Sequence, residues 1–101
     1  MTDDSWEDLV ERLTDGDVTR GTMFGSQGLR TGRRFFAIRW EEQLVLKLAP
    51  ARLTELVEAD VARPFEPMEG RRMNGWVLLA DSADPAPLVE EARAYVAAQS
   101  A

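Results

Sequence analysis

Cysteine and histidine are both missing from this chain of 101 residues. Without cysteine there is no disulfide, no thiolate nucleophile and no Cys-ligated zinc or iron–sulfur centre. Without histidine there is no imidazole base, so Ser-His-Asp and Cys-His catalysis are both excluded. A metal would have to be held by carboxylates and carbonyls, which suit Mg²⁺ or Ca²⁺ rather than zinc. No residue pattern calls for a cofactor or a metal, and none is expected. No apolar run approaches the ~20 residues of a membrane-spanning helix. The first residues, Met1-Thr2-Asp3-Asp4, are acidic where a signal peptide starts basic. A cytoplasmic protein with no membrane partner is the expectation.

What is present suits a globular fold. Hydrophobic residues make up 45% of the chain, enough for a core and too many for disorder. The length is near the commonest domain size, so residues 1–101 are read as one domain.

Apolar periodicity divides the chain. Trp6, Leu9, Val10 and Leu13 recur at helical spacing, so residues 4–14 read as a helix. Ser5 is its expected cap, with Asp8 three places on, and Asp15-Gly16-Asp17 its stop. A period of two follows. Strands are expected over 22–29, 34–40 and 43–48, joined by Arg30-Thr31-Gly32-Arg33 and Glu41-Glu42 as an antiparallel meander. Gly25 and Gly28 mark a bulge or a close backbone approach in the first strand. In the second, Phe36, Ile38 and Trp40 are expected on one face, and Phe35, Ala37 and Arg39 on the other. In the third, Leu44, Leu46 and Leu48 oppose Val45 and Lys47. Pro50 opens a second helix over 50–59, with Leu53, Leu56 and Val57 buried. A short edge strand near Phe65, a turn at Glu69-Gly70 and a strand over 73–80 follow, the last firmest from Trp76 onward. Ser82 or Asp84 caps a final helix with Leu88, Val89, Ala92, Tyr95 and Val96 inward, and residues 99–101 are expected to fray. The order is α-β-β-β-α-β-β-α. That is an α+β fold, with helices packed on an antiparallel sheet of four to five strands.

Several of these residues fall in a familiar order. Met23-Phe24-Gly25, Gly28-Leu29, Phe36-Ala37, Leu46 and Lys47 are followed by Ala62-Arg63-Pro64-Phe65-Glu66-Pro67-Met68, Gly70-Arg71, Met73 and Trp76-Val77. Together they resemble the N-terminal domain of the TfoX/Sxy family, in the version found in small single-domain bacterial proteins. The resemblance runs from about Leu9 to Ala98. It implies a YjbR-like fold, whose double-wing relatives suggest a nucleic-acid or protein surface, and no recognised catalytic residues. Competence regulators carry a second, C-terminal domain after this one, so a competence role is not carried over. Ser26-Gln27 departs from the pattern where many relatives have a second glycine and a small or apolar residue.

Charge is the sharpest local feature. The formal net charge is −6, but residues 1–19 hold seven acids and one base, whereas residues 20–40 hold five arginines and no acid. Arg20, Arg30, Arg33, Arg34 and Arg39, with Arg71 and Arg72, are therefore candidate contacts for an anion or an acidic partner. The alternative is that they pair with the acidic first helix. A nucleic-acid module more often has a pI above ~9 and a basic face, and the net charge here repels polyanions. Nucleic acid is thus the disfavoured partner.

Other candidates read as structural. Lys47, the one lysine, is a strand residue whose stem covers apolar surface, rather than a Schiff-base amine. Glu66 and Glu69, like Glu41-Glu42, occupy turn contexts rather than a pocket. Gly25-Ser26-Gln27-Gly28 has neither nucleophile-elbow nor P-loop spacing. Adjacent Phe35 and Phe36 must face opposite sides of a strand, so one of them lies on the outer face of the sheet. Such a face, with arginine nearby, suits a protein partner or a homodimer. The expected function is a non-enzymatic binding or regulatory domain. A nucleic-acid-binding regulator is the first alternative, and a small-molecule binder or enzyme the second.

Overall fold

The computed structural model describes residues 2–14, 18–23, 25–81 and 83–100, with Ser100 described by its backbone alone. The elements in chain order are α1 (Asp3–Leu13), β1 (Val18–Met23), β2 (Ser26–Thr31), β3 (Arg34–Trp40), β4 (Gln43–Lys47), α2 (Pro50–Glu58), β5 (Ala62–Pro64), β6 (Trp76–Leu79) and α3 (Pro85–Ser100). The fold is α+β, with one more strand in the meander than the α-β-β-β-α-β-β-α order expected. All six strands form one antiparallel sheet in the order β1-β2-β3-β4-β6-β5. After the four-strand meander, α2 carries the chain to the far edge, and β6 returns between β5 and β4.

The extra strand comes from the segment expected as one strand over 22–29. It folds as two, with Met23 facing Ser26 across the turn. Gly25 has φ +76° there, a left-handed conformation that glycine adopts without steric cost. Gly25 is therefore a turn residue and not a bulge. Gly28 is a site of close approach: a Cβ there would lie 2.9 Å from both the Ala37 carbonyl oxygen and the Phe35 ring.

A bulge does occur one strand later. Leu29 faces Ala37 but Arg30 faces Phe35, leaving Phe36 as the extra residue. This shifts the side-chain alternation. Phe36 and Ala37 both enter the helix-side core, while Phe35 and Ile38 belong to the outer face. The expected grouping of Phe36 with Ile38 and Trp40 is thereby corrected. Phe36 is the inward ring and Phe35 the outward one.

All three helices contribute to the inner core. Trp6, Leu9, Val10 and Leu13 of α1, Leu56 of α2, and Leu88, Val89, Ala92 and Val96 of α3 meet Leu44, Leu46 and Leu48. The α1 cap is Thr2 rather than Ser5. Thr2 Oγ1 accepts from the Ser5 amide at 3.1 Å, and Ser5 Oγ accepts from the Thr2 amide at 2.9 Å. The stop expected at Asp15-Gly16-Asp17 lies outside the described residues. In α2 only Leu56 is fully buried, and Val57 is 37% exposed, so the stripe expected there is narrower. Asp84 Oδ1 accepts from the Ala86 amide at the start of α3, whereas Ser82 lies outside the described residues. The helix runs on to Ser100 where fraying was expected.

The outer face has a second small core. The connection from β5 to β6 folds back over the sheet, turning at Gly70 (φ +77°), where Met68 bridges Arg71. It places Phe65, 1% exposed, against Ile38, Val45, Trp76 and Leu78. No helix among the described residues is long and apolar enough to cross a membrane.

Candidate functional site

The elements bring the arginines of residues 20–40 to three different settings. Arg20 lies on β1 facing α1, where its Nη2 reaches both carboxylate oxygens of Glu7 at 2.6 Å. Arg39, at the far end of β3, pairs with Asp3 at 2.5 Å and donates from Nε to the Glu41 carbonyl at 3.2 Å. These two are held by the acidic first helix or next to it. Arg33 and Arg34, at the β2–β3 turn, are exposed and have no ion pair among the described residues.

Arg30 is different from all of these. It lies on the outer face of β2, its guanidinium 5.7 Å from the centre of the Phe35 ring. Its Nη2 donates to the Arg20 carbonyl on β1 at 3.3 Å, while its buried Nε has no acceptor among the described residues. The geometry depends on glycine. A Cβ at Gly21 would sit 2.9 Å from Phe35 Cζ and 3.1 Å from Arg30 Nε. Gly21 and Gly28 face each other across β1 and β2. They form a side-chain-free strip on which the ring and the guanidinium lie.

Arg71 and Arg72 belong to the β5–β6 connection, and β3 and β4 separate β6 from β2. Arg72 faces Glu66 at 3.6 Å, and Arg71 is exposed. The seven arginines are therefore divided between two regions, with acids matched to three of them. Lys47 lies with Nζ 6.0 Å from the Trp76 ring centre, on the outer face.

The family-like positions have structural roles. Gly25 makes the β1–β2 turn and Gly28 the close approach to β3, and Phe24 lies outside the described residues. Met23 and Met73 pack at the margin of the outer core, and Trp40 meets Phe65 edge-on at 5.1 Å. Pro64 closes the short edge strand β5. Gln27, at the departure from the family pattern, accepts from Trp6 Nε1 at 3.0 Å and so ties α1 to β2.

Two features escaped sequence reasoning. One is Gly21, whose pairing with Gly28 could have been found from a two-residue turn centred between them. The other is an apolar groove of about 400 Å³ between α2 and the connection, lined by Leu53, Val57, Met73 and Trp76. Among the described residues no three His, Cys, Asp or Glu side chains converge to hold a metal ion.

No curated protein and no solved structure gives a significant match to this chain. The family model of the TfoX N-terminal domain matches residues 8–98, which include all six strands. The chain belongs to the TfoX N-terminal domain family.

Proposed function

We propose that the chain is a cytoplasmic binding and regulatory domain without catalytic activity. It acts through a protein–protein or self-association surface on the outer face of the sheet. One observation carries this reading. Phe35 is half-buried on the Gly21–Gly28 strip with Arg30 against it, and the half-buried Met23 packs on the same outer core. Partly accessible aromatic and methionine surface together with arginine is the composition of interface cores. The β5–β6 connection covers the other half of this face, so the available surface narrows to the β1–β3 end. Arg30, Arg33 and Arg34 lie at that end, which favours an acidic partner. Membership of the family supports a regulatory domain.

Light scattering across a concentration series tests the self-association form. A mass that rises above the 11.3 kDa of one chain is expected, with the rise removed by Phe35→Ser. A fixed mass would eliminate that form and leave the partner form.

A second reading, a nucleic-acid-binding regulator, draws support from Arg33, Arg34 and Arg71, which are exposed and carry no ion pair among the described residues. It is weaker because Arg20, Arg39 and Arg72 are already matched by Glu7, Asp3 and Glu66.

A further inference from the structure

We propose that the edge of β1 that pairs with no other strand among the described residues is a docking site for an extended acidic segment of a partner protein. The segment adds to the sheet as a further strand and places a carboxylate against Arg30. This rests on the protein-binding reading above and specifies its site and its partner.

The two edges of the sheet differ. β5 has three residues and ends at Pro64, the short, proline-marked form that discourages pairing. β1 has six residues, Val-Thr-Arg-Gly-Thr-Met, with no proline and one charge. In an antiparallel ladder every second residue of an edge strand turns its N–H and C=O away from its neighbour. Half of the β1 peptide groups therefore face outward as a template for strand addition, with the Arg20 carbonyl already bonded by Arg30 Nη2.

Arg30 supplies the specificity. It arises from β2 but crosses β1 over Gly21, and its Nη2 reaches the Arg20 carbonyl at 3.3 Å. Its charge therefore sits at the edge strand. Phe35 holds it there. No carboxylate pairs with it among the described residues, and its Nε has no acceptor. An outer-face side chain of an incoming strand, next to Gly21, would meet this guanidinium. A carboxylate is the group that uses its remaining donors best. Arg33 adds charge at the same end, since the turn follows Thr31, which faces Val18. A second copy fits less well, because its β1 brings an arginine and no acid to the edge.

The experiment is an NMR titration of the full ¹⁵N-labelled chain with a short peptide of alternating valine and glutamate. The control peptide has glutamine for glutamate. Amide shifts and slowed hydrogen exchange are expected at Val18–Met23, with the control at least about tenfold weaker. Arg30→Gln should weaken binding by a similar factor. Thr22→Pro should block it, and proline is tolerated on an edge strand. If that variant fails to fold, Arg30→Gln still decides. No shift at ~1 mM peptide, or equal binding by the control peptide, overturns the proposal; ~1 mM corresponds to the weakest affinity worth assigning. Shifts confined to Arg34 and Phe35 overturn the edge site but leave the outer-face reading standing. Protection of β1 that grows with chain concentration alone assigns the edge to a second copy and overturns the acidic partner. No shifts together with a fixed 11.3 kDa mass remove the edge site and the self-association form.

Discussion

Phe35 lies across the backbone of Gly28, and a Cβ added to Gly28 would sit 2.9 Å from two carbons of that ring and 2.9 Å from the Ala37 carbonyl oxygen. Gly28→Ala must therefore move both a side chain and a strand. Overpacking of this kind costs ~1–3 kcal/mol. At this chain length each kcal/mol lowers Tm by about 4–8 °C. Adding Phe35→Ala to the glycine variant should recover only part of the loss attributable to Gly28→Ala, because the Ala37 carbonyl remains. Thermal unfolding of the single and double variants measures this. A Gly28→Ala protein as stable as the parent would mean that the ring and the β2–β3 register adjust freely.

Trp6 gives a second test, because its two contributions separate. The indole is 1% exposed and its Nε1 donates to Gln27 Oε1 at 3.0 Å. Trp6→Phe retains most of the apolar burial and removes the bond. A loss of ~1 kcal/mol is expected, since the exposed Gln27 amide regains water. Trp6→Ala removes the anchor of α1 and should cost ~3–5 kcal/mol. Urea unfolding with unchanged slopes would place both effects on stability rather than on the unfolded state.

These residues also show what could be read before the fold was known. Trp6, Leu9, Val10 and Leu13 announce α1 because one face of a helix repeats every three to four residues. Leu44, Leu46 and Leu48 announce β4 because the helices cover one side of it. β1 escapes because an edge strand away from the core does not need to alternate: of Val18–Met23 only Val18 is buried. The bulge at Phe36 escapes for another reason. Both faces of β3 are apolar, so a one-residue shift leaves the pattern unchanged while exchanging which ring faces the helices. The polarity between residues 1–19 and 20–40 is plain in the sequence. That Glu7 meets Arg20 and Asp3 meets Arg39 depends on how α1 crosses the sheet, which no local pattern encodes.

Those two ion pairs should differ in weight. Arg20 and Glu7 are both about half exposed, with side chains 50% and 57% accessible. Arg20→Gln should cost ~0–1 kcal/mol. That difference should shrink in ~1 M salt, where the Debye length falls to about 3 Å. The Arg39 side chain is only 16% accessible and also bonds the Glu41 carbonyl. Arg39→Gln should therefore cost more than Arg20→Gln, and high salt should leave more of its effect in place. Urea unfolding of both variants at low and high salt makes the comparison. Equal costs and equal salt sensitivity would indicate that the packing of the Arg39 stem contributes nothing.

The same pairing bears on nucleic acid. A duplex rewards cations that neutralise its phosphates, and log K falls with log salt at a slope of about −0.9 for each phosphate contacted. Of the seven candidate arginines, Arg20, Arg39 and Arg72 already face carboxylates. Arg33, Arg34 and Arg71 are the exposed ones that do not, and Arg71 stands on a different part of the chain from the other two. Three such contacts would give a slope near about −3 and little affinity at physiological salt, before the repulsion from a net charge of −6 is counted. Gel-shift titrations with double-stranded DNA and with RNA should accordingly show no complex at ~10 μM protein in ~0.15 M salt; that concentration lies well below the typical upper limit of non-specific binding. Arg33→Gln with Arg34→Gln should change nothing. Binding that appears with the steep salt slope and vanishes in that double variant would show that the turn engages phosphate despite the acidic surround, and the regulator reading would then replace the protein-partner one.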